Sequence, residues 1–215
     1  LEYSEINRKF CEICHYGVDT ESFPYRQRRG KEEEEPLTFV YLGQVSEHKG
    51  VAWLFEAFAG IEASRASLLC VGDVNLPESI TSKLASNIDL RGMVQHDEVS
   101  NILLSADVML FPSLGDGFPL SIMEGFASGL PVVCTENTGA ADCIVDGENG
   151  FVVPVQDAGA LRNRIEWFLS NRTEIPRMAK AARDSVAAYT WDAYYENAAD
   201  AVEKLVEKVR HERER

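Results

Sequence analysis

The sequence predicts an α/β domain built on a parallel sheet with helices on both faces. Three observations predict it. Short apolar runs of strand length alternate with segments of helical period, the signature of strand–helix–strand units. The runs "LLCVGD" and "PVVCT" place Cys70 and Cys134 inside continuous apolar stretches that read as buried strands. The chain is 215 residues long and 45% hydrophobic, which suits one large domain with a packed core.

In chain order, the first expected strand is "CEICHY" (11–16), whose residues alternate. Its Cys11-x-x-Cys14-His15 pattern matches c-type haem attachment, but the pattern is short and no axial partner or export signal accompanies it. A zinc site would need a second ligand pair, and Cys143, His48 and His96 do not form one at useful spacing. Small buried thiols on a strand are therefore the expectation. The run "RQRRGKEEEEP" (26–36) is charged, poor in apolar residues and ends in Pro, so a solvated loop is expected. "LTFVYLG" (37–43) is the next strand, and Val51, Leu54, Phe55 and Phe58 recur behind it at helical spacing. Strands "ASLLCVGD" (66–73) and "IDLRGMV" (88–94) follow. A helix carrying Val99, Ile102, Leu103 and Ala106 leads into strand "DVMLFPS" (107–113). Next come the helix of Glu124, then "PVVCT" (131–135) and "GFVV" (150–153). From Ala158 onward the pattern is helical only, and "AVEKLVEKVRHERER" is an amphipathic helix with charge pairs three and four apart. Residues 1–190 form the expected sheet domain, and 191–215 a C-terminal amphipathic helix that caps it or packs on a neighbour.

A net charge of −14 disfavours nucleic acid or anionic lipid as the main partner, so an anionic ligand must find a locally positive spot. No stretch approaches the roughly 20 apolar residues of a membrane span. The start, "LEYSEINRKF", lacks an initiator Met and a signal sequence, so the chain is expected to begin inside a longer polypeptide. Five cysteines, an odd number with two of them in apolar strands, point to a reducing, cytoplasmic setting.

Parallel sheets bind ligands beyond the carboxyl ends of their strands, so the strand-to-helix loops are where chemistry is expected. Three qualify: "LGQVSEHKG" (42–50) with Lys49, "FPSLGDGFPL" (111–120) with Asp116, and "CTENTGAADC" (134–143). Pro119 suits the first turn of a helix, leaving the amides of Leu120 and Ser121 free to bind a phosphate. Glu124 lies about one turn further along, and Asp116 reaches in from the loop. One anion site flanked by two acceptors suits a sugar nucleotide, with the diphosphate held between hydroxyl-binding carboxylates. The plainer alternative makes both acids helix caps or surface charges.

These segments resemble the donor-binding, C-terminal domain of the retaining GT-B glycosyltransferases, specifically glycosyltransferase family 4. The landmarks are "HYGVDTESF" (15–23), "FVYLGQVSEHKGVAWLFEAF", "VMLFPSLGDGFPLSIMEGFASGLPVV" with its acid, seven residues and Glu, "GAADCIVDGENGFVVPVQDAGAL" and "YTWDAYYENA". The resemblance spans nearly the whole chain and implies a Rossmann-like sheet forming half of a GT-B enzyme. It implies that Glu124 holds the ribose hydroxyls and Asp116 those of the transferred sugar. Gly117, Phe118, Pro119 and Leu120 form the turn that meets sugar and phosphate, Lys49 binds phosphate, and Gly43, Gln44 and Thr138 line the donor site. It further implies a UDP- or GDP-sugar as substrate, no metal and no cofactor. The acceptor, a glycan or lipid-linked saccharide, would come through an N-terminal domain lying outside this chain, a fragment expected to transfer nothing alone. That domain would also supply peripheral attachment to the inner membrane, in the synthesis of a bacterial surface polysaccharide.

Two departures stand out: Gln44 replaces an expected Arg, and Asp116 replaces a longer Glu. In "TGAAD", Ala140 and Asp142 also occupy positions usually Gly and Glu. They keep open a degenerate, non-catalytic sugar-nucleotide sensor or scaffold subunit. A hydrolase using Asp116 and Glu124 as acid and base fits poorly, because both lie near one helix start around an anion site and not across an open sugar groove.

Overall fold

The computed structural model describes residues 11–213. Six strands form a single parallel sheet: β1 (Leu37–Leu42), β2 (Ala66–Val71), β3 (Ile88–Gly92), β4 (Val108–Phe111), β5 (Val132–Thr135) and β6 (Gly150–Val153). Their order across the sheet is β3-β2-β1-β4-β5-β6. The helices are α1 (Val51–Phe58), α2 (Glu78–Thr81), α3 (His96–Ser105), α4 (Leu120–Ala127), α5 (Ala158–Ser170), α6 (Ile175–Ser185) and α7 (Trp191–Arg213). They cover both faces of the sheet, with α1 packed on α5 and α4 on α6. The parallel sheet with helices on both faces is thus the fold the sequence predicts.

Burial explains why these residues form these elements. Every residue of β4 and β5 is buried, as continuous apolar runs require of central strands. Val51, Leu54, Phe55 and Phe58 form the buried stripe of α1. Ile102, Leu103 and Ala106 are buried from α3 and its end, with Val99 packed at the rim. Cys70 and Cys134 are fully buried.

Two expectations fail. Residues 11–16 form no strand; they pair with neither sheet edge, Cys11 is exposed and Cys14 half-buried, and Ile13 is 81% exposed. The segment instead runs along α7, where Glu12 meets Lys208 at 2.6 Å and the Cys14 thiol faces the Asn197 carbonyl at 3.7 Å. His15 and Tyr16 then turn their rings onto Phe118, Tyr189, Trp191 and Tyr194, so aromatic packing replaces the strand pairing that alternation suggested. The 26–36 run is a loop as expected, but it is not solvated throughout, because the Arg28 guanidinium is buried. It bonds the carbonyls of Leu103, Ala106, Ser128 and Gly129, closing the carboxyl ends of α3 and α4.

From Ala158 the chain is helical, as its pattern predicts, and α7 presents Val202, Val206 and Val209 to the surface. The last two residues of the expected C-terminal helix lie outside the described residues. Among those described, no helix is long and apolar enough to cross a membrane.

Candidate functional site

The strand order reverses between β1 and β4, so the chains leaving these neighbouring strands turn to opposite sides and leave a crevice at their carboxyl ends. Lys49 stands in the loop after β1, and Asp116 in the loop after β4.

The β1 loop is set by backbone contacts. Gly43 donates to the Val71 carbonyl at 2.9 Å, and the buried Tyr41 hydroxyl donates to the Gln44 carbonyl at 2.7 Å. Gln44 itself is exposed. A 3-10 turn over Glu47–Lys49 ends at Gly50, whose φ is 71°. A Cβ there would lie 1.8 Å from the Pro112 carbonyl oxygen, so only glycine lets this loop dock on the β4 loop. Leu114 then donates to the His48 carbonyl at 3.1 Å.

The β4 loop is stitched on its other side to the loop after β5. Asp116 donates from its amide to the Asn137 carbonyl at 3.1 Å and accepts on its own carbonyl from Gly139 at 3.0 Å. Asn137 reaches the Leu114 carbonyl through its side-chain amide. A Cβ on Gly139 would meet the Gly117 oxygen at 1.8 Å, so this junction too needs glycine. Thr138 is buried, and its hydroxyl donates to the Thr135 carbonyl at 2.9 Å. Its amide and carbonyl are likewise engaged within the loop, by the Thr135 carbonyl and the Ala141 amide, so Thr138 shapes the loop.

These constraints bring Lys49 Nζ to 2.5 Å from Asp116 Oδ2, both side chains mostly buried. The ammonium also stands 5.9 Å from the centre of the Phe111 ring. The helix α4 starts directly after this pair. Pro119 sits at its N-cap, one position earlier than a first-turn proline, with φ −69°, and no side chain caps the helix start. Leu120 and Ser121 follow with their amides at the positive end of the helix dipole. Gly117 is exposed, Phe118 half-buried and Pro119 buried.

Glu124 lies one turn into α4. Its burial raises its pKa above the ordinary carboxylate range, opposed in part by the nearby His96. Beside it is a cavity of about 240 Å³ lined by Gly17, Asp19, Phe23, His96, Leu120 and Trp191. The structure thus gathers Gln44, Lys49, Asp116, the 117–120 turn and Glu124 around the carboxyl ends of β1 and β4. It also brings in residues that the sequence reading did not single out. His15 packs on Phe118 with ring centres 5.0 Å apart, Tyr16 bridges Phe118 and Tyr194, and His96 and Trp191 wall the cavity beside Glu124. The "HYGVD" stretch was the available signal for the first two and "YTWDAYYENA" for Trp191; no local pattern marks His96.

The fold and this crevice place the domain among α/β proteins that carry their chemistry at the carboxyl ends of parallel strands. The chain belongs to the glycosyl transferases group 1 family, whose sequence pattern matches residues 36–171. It is 31% identical over 189 residues to WcaL of Salmonella typhimurium, named as a colanic acid biosynthesis glycosyltransferase; the match covers 81% of this chain and 46% of that protein. It is 29% identical over 194 residues to the sulfoquinovosyl transferase SQD2 of Arabidopsis thaliana, covering 84% and 37% of the two chains. Among solved structures, a glycosyltransferase from Rickettsia africae superposes with a TM-score of 0.78 at 22% identity, over 95% of this chain and 60% of that one. HepE of Anabaena, solved with UDP and glucose, gives 0.74 at 17% identity, over 89% and 56%. The structural likenesses show a shared fold. The chain spans about half the length of these relatives.

Proposed function

We propose that this chain is the donor-binding half of a retaining glycosyltransferase of family 4. It binds a UDP- or GDP-sugar and, together with an N-terminal domain, transfers the sugar to a saccharide or lipid-linked acceptor. One observation carries the reading: in the crevice where the strand order reverses, a lysine paired with a carboxylate stands beside an uncapped helix start, with a second, buried carboxylate one turn into that helix.

Transfer breaks the bond between the anomeric carbon and the diphosphate, so negative charge grows on the departing phosphate. Lys49 and the amides at the start of α4 stabilise that charge, the lysine as a full cation and the helix as oriented partial charges. Glu124 accepts hydrogen bonds from the ribose hydroxyls, with the base in the cavity beside His96 and Trp191. Asp116 accepts from a hydroxyl of the sugar. No metal is required for this division of labour, and the acceptor approaches from the N-terminal half, without which the domain transfers nothing. The name of WcaL, a colanic acid biosynthesis glycosyltransferase, supports a role in building a bacterial surface polysaccharide.

The test is calorimetric binding of UDP, GDP and their sugars to the full-length protein and to Lys49→Ala. A nucleoside diphosphate should bind and the variant should lose nearly all of that affinity, since only partial charges remain for the phosphates. Equal affinity in both proteins would remove the phosphates from this crevice. Binding without any turnover in the presence of acceptor would make the protein a sensor.

A further inference from the structure

The Lys49–Asp116 pair has a consequence that the roles above do not contain. The ammonium assigned to the phosphates is already engaged, at 2.5 Å, by the carboxylate assigned to the sugar. The two partners differ in freedom. Asp116 has a short side chain on a backbone whose amide and carbonyl are both held by the loop after β5, through Asn137 and Gly139. Lys49 has a long, flexible stem whose ammonium, 5.9 Å from the centre of the Phe111 ring, can be re-aimed over several ångströms. Both side chains are mostly buried, at 24% and 18% exposure, so neither charge is left to water without cost when the pair opens.

We infer that Asp116 and the donor's diphosphate compete for the Lys49 ammonium, and that the sugar of the donor relieves this competition by taking over the carboxylate. This rests on the donor-binding reading. A phosphate that draws Lys49 away leaves Asp116 without its cation, in a setting where water only partly replaces it. A sugar hydroxyl donating to Asp116 compensates for that loss. A bare diphosphate has no such donor and bears the cost in full. Asp116 is thus a positioning residue for phosphate binding, acting through Lys49, as well as a sugar contact. The pair makes the site favour the intact nucleotide sugar over the nucleoside diphosphate left after transfer. Bond making is not involved, only an exchange of hydrogen-bond and ionic partners.

Inorganic pyrophosphate, one nucleoside diphosphate and its sugar conjugate, titrated into the full-length protein by calorimetry, separate the possibilities. Asp116→Asn keeps the shape and removes the charge. It should bind pyrophosphate and the nucleoside diphosphate about tenfold more tightly than the parent, corresponding to about 1.4 kcal/mol, while the sugar conjugate gains less or loses. Adding Lys49→Ala should erase the gain, because the competition is for that ammonium. Asp116→Ser, tested beside it with thermal melts of all variants, provides a second uncharged side chain should Asp116→Asn fold poorly. Unchanged or weaker diphosphate binding in a folded uncharged variant overturns the competition, even if Glu124→Gln still lowers nucleotide affinity and so upholds the donor site. Failure of every protein, parent included, to bind any nucleotide or pyrophosphate overturns both.

Discussion

Replacing Arg28 by Met should destabilise the domain by about 3–5 kcal/mol, although Arg28 lies in a loop that composition marks as solvent-facing. The magnitude follows from what the guanidinium touches. It is 8% exposed and donates to Gly129 at 2.7 Å, Leu103 at 3.0 Å and Ser128 at 3.3 Å, with a further bond to Ala106. All four acceptors are carbonyls at the ends of α3 and α4, where helices leave acceptors unpaired and where a cation suits the dipole. Burial has a counter-effect: with no carboxylate bonded to it, the Arg28 pKa is pulled down to about 10, so part of the gain is spent on desolvation. Hydrogen bonds to a charged donor contribute about 1.5–3 kcal/mol each, and an orphaned buried carbonyl costs about 1–3 kcal/mol. Methionine fills similar volume but leaves the carbonyls bare, and a few bonds' worth survives the desolvation offset. Lysine keeps the charge without the planar fork, so Arg28→Lys should fall between parent and Arg28→Met. Urea denaturation followed by circular dichroism gives the difference as a shift in midpoint at constant slope. A loss below about 1 kcal/mol for Arg28→Met would refute the claim that this side chain ties the two helix ends together.

Two further outcomes concern the crevice. Burial raises the Glu124 pKa, so nucleoside diphosphate affinity should fall as pH drops through that raised value, and binding should release a proton there. Glu124→Gln should flatten this pH profile and weaken binding by about 1–3 kcal/mol; a profile unchanged by the substitution would mean that the carboxylate does not face the ligand. For stability the sign is opposite to that of a salt-bridged acid. A folded pKa above the unfolded one penalises the ionised form, so Glu124→Gln should be neutral or stabilising near pH 7, and the difference should fade as pH falls through the folded pKa, as chemical denaturation at several pH values would show. Gln44→Arg should tighten diphosphate binding by about 1–2 kcal/mol and steepen its salt dependence, because a second cation would join Lys49; calorimetry at two salt concentrations reads both.

What the sequence made legible was local. The apolar runs of β4 and β5 are buried along their whole length, so composition alone identifies them, and the stripe of α1 announces itself by period. The three loops that carry the candidate site follow strands and precede helical turns, which places them at the carboxyl edge without further information. What stayed hidden depends on partners distant in sequence. Cys11 to Tyr16 alternate like a strand, yet no sheet edge receives them, because their aromatic rings find Phe118, Trp191 and Tyr194 from other parts of the chain. Arg28 sits in a charged run and is buried because two helix ends happen to converge there.

The Lys49–Asp116 pair shows why a motif can name the residues of a site and still miss its behaviour. The two positions are 67 apart in sequence, and no periodicity links them; Gly50 against Pro112 brings their loops together, and Gly139 against Gly117 holds the Asp116 loop from its other side. A glycine loop, read alone, signals only backbone freedom. Two glycines whose missing side chains let neighbouring loops touch signal a cation and an acid forced into contact. In a chain with net charge −14, that contact matters more than it would in a basic protein, because Lys49 is the cation that the candidate phosphate site relies on. Under the competition proposed for this pair, the sugar hydroxyls of the donor would decide how fully the lysine is released to the phosphates.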